Sequence, residues 1–304
     1  MAFVQPESAT MGRNMDHLRV LRPAEAVYAF YDGRVEGYRF LDEPNWVDEG
    51  ALRLGIASYA IVSGEAALVY DTHVSVTHAE RIRAILEGEG ARTFTVVLSH
   101  WHLDHVAGTA AFGDCEVIGC ERTAELLTRF REAIERGSLE GPPAIAPLLL
   151  PTTTFRDRLE LEIGEFHLEL LHTDIHSDDA CILWWPEREL LLCGDALEDT
   201  VTYVDEPADL PRHRANLDTL RSLRSRRILP NHGAPDVIAS GGYSDGLITA
   251  TEQYIDFLLR CRSEPEITEL TLRDVLDVLS NDDVHYYVEY EGVHRANVDK
   301  VLRQ

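Results

Sequence analysis

Short apolar runs punctuated by glycine and proline organise the first half of the chain. Residues 58–62 and 66–70 are two such runs around Ser63-Gly64-Glu65, and the pair reads as a β-hairpin. Upstream, residues 27–40 read as a strand, a turn at Asp32-Gly33 and a second strand. Residues 41–52, with Pro44, Asn45 and Gly50, read as a loop. The period then changes: in residues 77–90, Ile82, Ile85 and Leu86 share one face and glycines follow, which predicts a helix with a stop. Residues 92–98, "RTFTVVL", have the composition of a buried strand. A short strand over 116–118 and a helix over 121–135, with Leu126, Leu127 and Phe130 on its apolar side, come next, and the proline-rich 137–151 reads as loop.

The second half repeats the theme. Strands are predicted over 158–163, 166–171, 180–185 and 190–193, with a turn at Pro186-Glu187-Arg188-Glu189 between the last two. A helix over 211–223, a short strand over 227–229 and a helix over 248–260 follow, then helical patterns over 272–279 and 293–302. Two strand-rich blocks, each joined to helices and with no close repeat between them, predict mixed sheets covered by helices. Residues 1–20 read as a flexible tail, 21–262 as the main domain, and 263–304 as a helical extension packed on it.

Composition narrows the partners. The 304 residues are 45% hydrophobic and 27% charged, enough for a sizeable core. The formal charge of −25, from 28 basic and 53 acidic residues, repels phosphate backbones and anionic membranes. The densest basic run, "RSLRSRR" at 221–227, reads as a solvated helix end. Five scattered cysteines read as reduced thiols. The first residues lack the apolar centre of a signal peptide, and the apolar runs are too short to span a bilayer. The expectation is a cytoplasmic protein with a small-molecule substrate and neither nucleic acid nor membrane as partner. The weakly patterned C-terminal helices leave room for a homodimer.

One stretch carries chemistry. "SHWHLDHV", residues 99–106, sets His100, His102, Asp104 and His105 in one turn directly after an apolar strand. Imidazole suits zinc and iron, whereas carboxylate suits harder ions and bridges well. Four such groups exceed what one structural zinc takes from one segment, so the economical reading is two neighbouring metals. Later strand ends offer the remaining ligands: His172 and His176 in "LLHTDIHSDDACILWW", Asp195 in "LLLCGDALEDT", and His232 in "RRILPNHGAP".

The order His-x-His-x-Asp-His, His-Ser-Asp-Asp, Gly-Asp and Asn-His-Gly, spread over residues 58–234, resembles the metallo-β-lactamase superfamily of hydrolases. That resemblance implies an α+β fold, a four-layer αββα sandwich with two metals at the rim between its sheets. By motif position, His100, His102 and His176 would hold the first metal, Asp104, His105 and His232 the second, and Asp195 would bridge them. The ligand position immediately before Ser177-Asp178 favours His176 over His172. His172 is left as a core or surface residue, or as a donor behind a ligand. Asp71, closing the strand "ALVYD", is expected to accept a hydrogen bond from a ligand histidine, and His73 is expected not to be a ligand. Zinc is the default ion, although iron and manganese suit the same donors.

The reaction implied is hydrolysis, with a metal-activated bridging hydroxide attacking the carbonyl of a small ester, lactone or amide-like substrate. Asp104 and Asp195 carry the catalytic roles, and Ser177 and Cys193 are structural. Trp46, Trp101 and Tyr203 are the aromatic candidates for the pocket wall. The third residue after Asp195 is Glu198, where many lactonases have tyrosine. A glyoxalase II-type thioesterase is an alternative, although His294, Arg295 and Lys300 form no clear anion-holding constellation. A non-haem iron sulfur dioxygenase and a β-lactamase-like activity are further alternatives. A noncatalytic binding protein would be expected to have lost ligands.

Overall fold

A computed structural model describes residues 17–279 and 283–303; most of the predicted tail, residues 1–16, lies outside the described residues. Its first sheet runs in chain order: β1 (Arg19–Ala24), β2 (Val27–Asp32), β3 (Ile56–Ser63), β4 (Ala66–Tyr70), β5 (Thr93–Val97), β6 (Glu116–Cys120) and β7 (Thr153–Phe155). It is antiparallel through β4 and parallel from β4 to β7. The second sheet has the order β12-β11-β10-β9-β8, made of β8 (Arg158–Ile163), β9 (Phe166–His172), β10 (Cys181–Trp185), β11 (Leu190–Gly194) and β12 (Arg227–Pro230). Only its β11–β12 pair is parallel.

The helices are α1 (Leu52–Leu54), α2 (Val76–Gly88), α3 (Leu103–Val106), α4 (Glu121–Glu135), α5 (Leu210–Ser222), α6 (Pro235–Ala239), α7 (Gly246–Arg260), α8 (Leu272–Leu279) and α9 (Tyr290–Leu302). Tyr59, Leu68 and Tyr70 from the first sheet share one core with Leu170, Leu183 and Leu192 from the second. Leu217 of α5 and Leu258 of α7 extend that core on the far side of the second sheet. The other face of the first sheet, with Phe30, Ala60 and Val69, packs on Ile82 of α2 and Leu127 of α4. Helices, sheet, sheet and helices therefore form four layers, the αββα sandwich of an α+β protein. Because both faces of each sheet are covered, β2, β10 and β11 are buried at every position instead of alternating.

Three buried tyrosines tie the sheets together at the rim. Tyr59 donates to Pro230 O at 2.5 Å, Tyr70 to Cys181 O at 2.7 Å, and Tyr31 to Gly233 O at 3.0 Å. Each fixes the backbone close to a loop that the sequence marks as chemical. A satisfied bond of this kind contributes about 1 kcal/mol, and an unpaired buried hydroxyl would cost about 1–3 kcal/mol.

Several sequence expectations need correction. Arg19 and Val20, assigned to the tail, belong to β1. The hairpin partner of β2 is β1, upstream, and residues 34–40 form no strand. Gly33 and Gly37 adopt φ of +97° and +74°, and a Cβ at Gly33 would collide with the Leu52 carbonyl. Residues 41–52 are not all loop, since a π-helical turn over Val47–Ala51 leads into α1. The short strand β7 has no counterpart in the sequence reading.

Candidate metal centre

The end of β5 delivers the first cluster. Ser99 and His100 leave the strand, His102 stands at the N-terminus of α3 with extended backbone (φ −63°, ψ 151°), and Asp104 and His105 lie within α3. The loop after β9 brings His176, the end of β11 brings Asp195, and the end of β12 brings Asn231 and His232. Gly194, with φ of +56°, makes the turn that aims Asp195 back over the sheet rim. His176 itself has φ of +70° and Asp71 +66°, left-handed conformations that Asp and His enter more readily than most residues.

The seven predicted ligands converge. Donor atoms lie within 4.8 Å of one another in the sets His100–His102–His176, His100–His105–Asp195, Asp104–His105–His232 and His176–Asp195–Glu198. Asp195 Oδ2 is 3.1 Å from His105 Nε2, 3.4 Å from His232 Nε2, 3.7 Å from His100 Nε2 and 3.8 Å from His176 Nε2. His232 Nε2 is 3.2 Å from Asp104 Oδ2, and His176 Nε2 is 3.1 Å from His102 Nδ1. Nitrogen ligands about 2.0–2.1 Å from one tetrahedral ion stand roughly 3.3 Å apart. The spacing is therefore that of donors facing a common centre. Two polar atoms of the cluster, His100 Nε2 and Asp195 Oδ1, are buried with no hydrogen-bond partner. Buried polar atoms are normally satisfied, so these fit a cation.

The outward nitrogens of four of the five histidines are held. His100 Nδ1 donates to Ser99 Oγ at 2.9 Å, His105 Nδ1 to Asp71 Oδ2 at 2.9 Å, His176 Nδ1 to Tyr203 O at 3.1 Å, and His232 Nδ1 to Gly55 O at 2.7 Å. These bonds fix ring orientation and leave the Nε2 lone pairs facing in. Asp71, buried, also accepts from Ser99 N at 2.7 Å, Ser99 Oγ at 2.6 Å and Asn231 Nδ2 at 2.7 Å.

The two ends of the cluster differ electrically. Burial and neighbouring imidazoles hold His100 well below its usual range, and burial lowers His176 to about 3. Burial also opposes the charged forms of His105 and His232, but Asp195 and Asp104 outweigh it and hold both well above the ordinary value. The metal-free cluster thus already separates into a neutral nitrogen-rich end and an ion-paired end.

The remaining candidates sort by position. Trp101 and Tyr203 line a cavity of about 570 Å³ that opens onto Asp104, His176, Asp195 and His232. Trp101 also stacks on Phe130 of α4. Trp46 does not line this cavity. Its buried indole donates to Pro143 O at 3.1 Å, and the following residues Glu49, Gly50 and Arg53 reach the cavity instead. His172 Nε2 bonds Asp178 O at 3.0 Å and belongs to no donor set. His73 is buried and stacked on His78, again outside every donor set. Ser177 bonds Asp179, and Cys193 Sγ is buried against backbone carbonyls.

Sequence reasoning missed Glu198 as a component of the site. It is buried, lines the cavity, and accepts from Tyr203 N and Tyr290 Oη at 3.1 Å each. Burial, reinforced by Asp195, pushes its carboxyl up to about 8.

Asp199, deeper in the same loop, fastens the C-terminal segment. It accepts from His285 N at 2.7 Å, His285 Nδ1 at 3.0 Å and Tyr243 Oη at 2.7 Å, while its own N–H donates to His232 O at 3.1 Å. The Asp199 hydrogen bond raises His285 above its ordinary 6.5. A raised histidine stabilises fully below the unfolded value, and the contribution fades as pH climbs through the folded value. Amide protection factors around His285, corrected for intrinsic exchange, should therefore fall as pH rises above 6.5. Constant protection would show that the ion pair contributes nothing.

A model of the metallo-beta-lactamase superfamily matches residues 52–232, more than half of the chain. Among curated proteins, a beta-lactamase-like protein 2 homolog of Caenorhabditis elegans is 25% identical over 230 residues, which are 75% of this chain and 69% of that one. A linear primary-alkylsulfatase of Pseudomonas sp. (strain ATCC 19151) is 24% identical over 225 residues, 58% of this chain and 41% of the relative, so the match spans less than half of that protein. Among solved structures, a metallo-beta-lactamase from Pontibacter korlensis superimposes with a TM-score of 0.60 at 18% identity, over 79% of this chain and 99% of that one. At that identity the likeness shows the fold.

Proposed function

The chain belongs to the metallo-beta-lactamase superfamily, and we propose that it is a dinuclear metal-dependent hydrolase acting on the carbonyl of a small ester, lactone or amide-like substrate. The observation that carries this reading is the pair of donor sets, His100–His102–His176 and Asp104–His105–His232, with Asp195 Oδ2 within reach of both. In this reading Asp195 is shared between two divalent ions, with zinc the default and iron or manganese compatible with the same donors. Two such ions supply a water of lowered pKa and a Lewis acid for the carbonyl oxygen. The protein's own part is to aim five imidazole nitrogens inward, to set Asp104 against His232, and to offer a cavity walled by Trp101 and Tyr203. No serine or cysteine nucleophile is required.

The cavity wall bears on the substrate. Beyond Asp104 and Asp195 it carries the carboxylates of Glu49, Asp205 and Glu289, together with Glu140 and Glu198, whose carboxyls burial pushes up to about 7 and about 8, and among its lining residues Arg53 is the one Lys or Arg, itself paired with Glu289. A carboxylate about 8 Å from a substrate anion costs roughly 2 kcal/mol at an effective dielectric of about 20. Substrates whose anionic group lies away from the reacting carbonyl, glutathione thioesters among them, meet this wall. Neutral esters and lactones do not.

The test is elemental analysis alongside a panel of lactones, neutral and anionic esters, thioesters, β-lactams and alkyl sulfates, with oxygen uptake on a persulfide for the redox alternative. The expected result is two ions per chain and chelator-sensitive turnover of neutral carbonyl substrates. Any turnover of anionic analogues should rise with salt relative to neutral ones, because screening weakens the repulsion. Full turnover after the metals are stripped would end the proposal.

A further inference from the structure

Lys300 is the only lysine in a chain whose other 27 formal cations are arginines. It sits on α9, in the C-terminal extension, and its ammonium is spent inside the protein. Nζ donates to Tyr203 Oη at 2.6 Å, Val204 O at 2.9 Å and Asp205 O at 3.2 Å, with Asp205 Oδ1 at 3.4 Å. The side chain is 28% exposed. Asn297, one turn earlier and fully buried, grips the same loop: Oδ1 accepts from Val204 N at 2.8 Å, and Nδ2 donates to Thr202 O at 3.0 Å. Residues 202–205 belong to no helix or strand, and α9 supplies much of what holds them.

That loop holds a site histidine. Tyr203 O is the acceptor for His176 Nδ1, Tyr203 N is anchored on Glu198, and the Tyr203 side chain lines the cavity. We propose that Lys300 is a positioning residue for the metal centre: by clamping residues 203–205 it fixes the carbonyl that orients His176. The inference rests on the reading of His176 as a ligand. The residue type follows from the geometry. Acceptors from three residues converge on one point, three of them within 3.2 Å, which suits the three tetrahedral donors of a compact ammonium and not the planar fork of arginine. Outer partners of metal-bound histidines typically govern 10–100-fold in metal affinity.

The test is a cobalt(II) titration of the metal-free full-length protein, followed by visible absorbance, for wild type, Lys300→Met, Lys300→Arg and His176→Ala. His176→Ala should abolish the phase belonging to the His100–His102–His176 site, and if it does not, the underlying ligand assignment is wrong. Given that loss, Lys300→Met should weaken the same phase by about 10–100-fold and leave the Asp104–His105–His232 phase within about threefold. Lys300→Arg should fall short of wild type in the same phase. Should Lys300→Met fail to fold, reductive methylation of the folded wild type gives the same readout, since Lys300 carries its only ε-amine. Unchanged affinity in both phases, or equal loss in both, overturns the proposal.

Discussion

Asp195→Ala is expected to lower metal content at both positions and to reduce kcat/KM by on the order of 10³-fold or more. The reasoning is geometric. Asp195 Oδ2 faces four histidines within 3.8 Å, two from each donor set, and among the described residues no other carboxylate does so. Removing it takes a ligand from each position and the negative charge that offsets two cations. The chemistry the ions would supply amounts to several kcal/mol, and each 1.36 kcal/mol is tenfold in rate. The variant should still fold, because Asp195 sits at a rim and the tyrosine ties beneath it remain. Elemental analysis and steady-state kinetics check the outcome. Asp195→Asn separates charge from size, and His172→Ala, outside both donor sets, is the matched control that should keep both ions. An Asp195→Ala protein with two tightly held ions and normal turnover would refute the assignment.

The candidate ligands were legible because chemistry at a metal demands particular side chains, and the chain concentrates them at the ends of apolar strands. His176 was separated from His172 by motif position, and the structure puts His176 Nε2 beside His102 while His172 turns to Asp178 O. The groups behind the ligands were less visible. Gly55 and Tyr203 act through backbone carbonyls, which every residue possesses, so no side-chain pattern marks them. Asn231 was legible as part of Asn-His-Gly, but its hydrogen bond to Asp71 joins residues 160 positions apart.

The fold was readable where strands are continuously apolar or, as in the half-exposed β8 and β9, alternate apolar and polar positions, and unreadable where they do neither. β1 reads Arg-Val-Leu-Arg-Pro-Ala, too polar and too close to a proline to stand out. Residues 34–40 alternate Val35, Tyr38 and Phe40 with charges in a way that imitates a strand. There, positive-φ glycines and the Asp48 carboxylate, accepting from Phe40 N at 2.6 Å and Leu41 N at 3.1 Å, set a loop instead. Trp46 is a pocket-wall candidate in the sequence because it is aromatic and sits in a proline-containing segment, yet burial of its indole outweighs exposure at the cavity mouth. Lys300 carried a signal of composition only, and the partners of the C-terminal cations explain why no anion-holding group was apparent. His294 bonds Tyr254 and Leu270 O, Arg295 bonds Thr268 O, and Lys300 bonds the 203–205 loop.

Asp71→Ala should be the most damaging change away from the ligands, with a stability loss of about 3–5 kcal/mol and a further 10–100-fold loss of metal affinity. One buried carboxylate satisfies four donors from three segments: the Ser99 amide and hydroxyl, the His105 imidazole and the Asn231 amide. Alanine leaves all four without their acceptor in a site closed to solvent, and each unpaired group costs about 1–3 kcal/mol before relaxation. It must also adopt the left-handed backbone that Asp71 holds at φ of +66°. Asp71→Asn separates these contributions. Asparagine tolerates that backbone and keeps one carbonyl acceptor, but its NH2 faces donors, so an intermediate loss is expected. Denaturant unfolding of the metal-free protein reads the stability, and metal titration reads the affinity. A large stability loss with affinity unchanged would make Asp71 scaffolding alone. Loss of both, graded from asparagine to alanine, would show that the bond to His105 sets the ring on which the second ion depends.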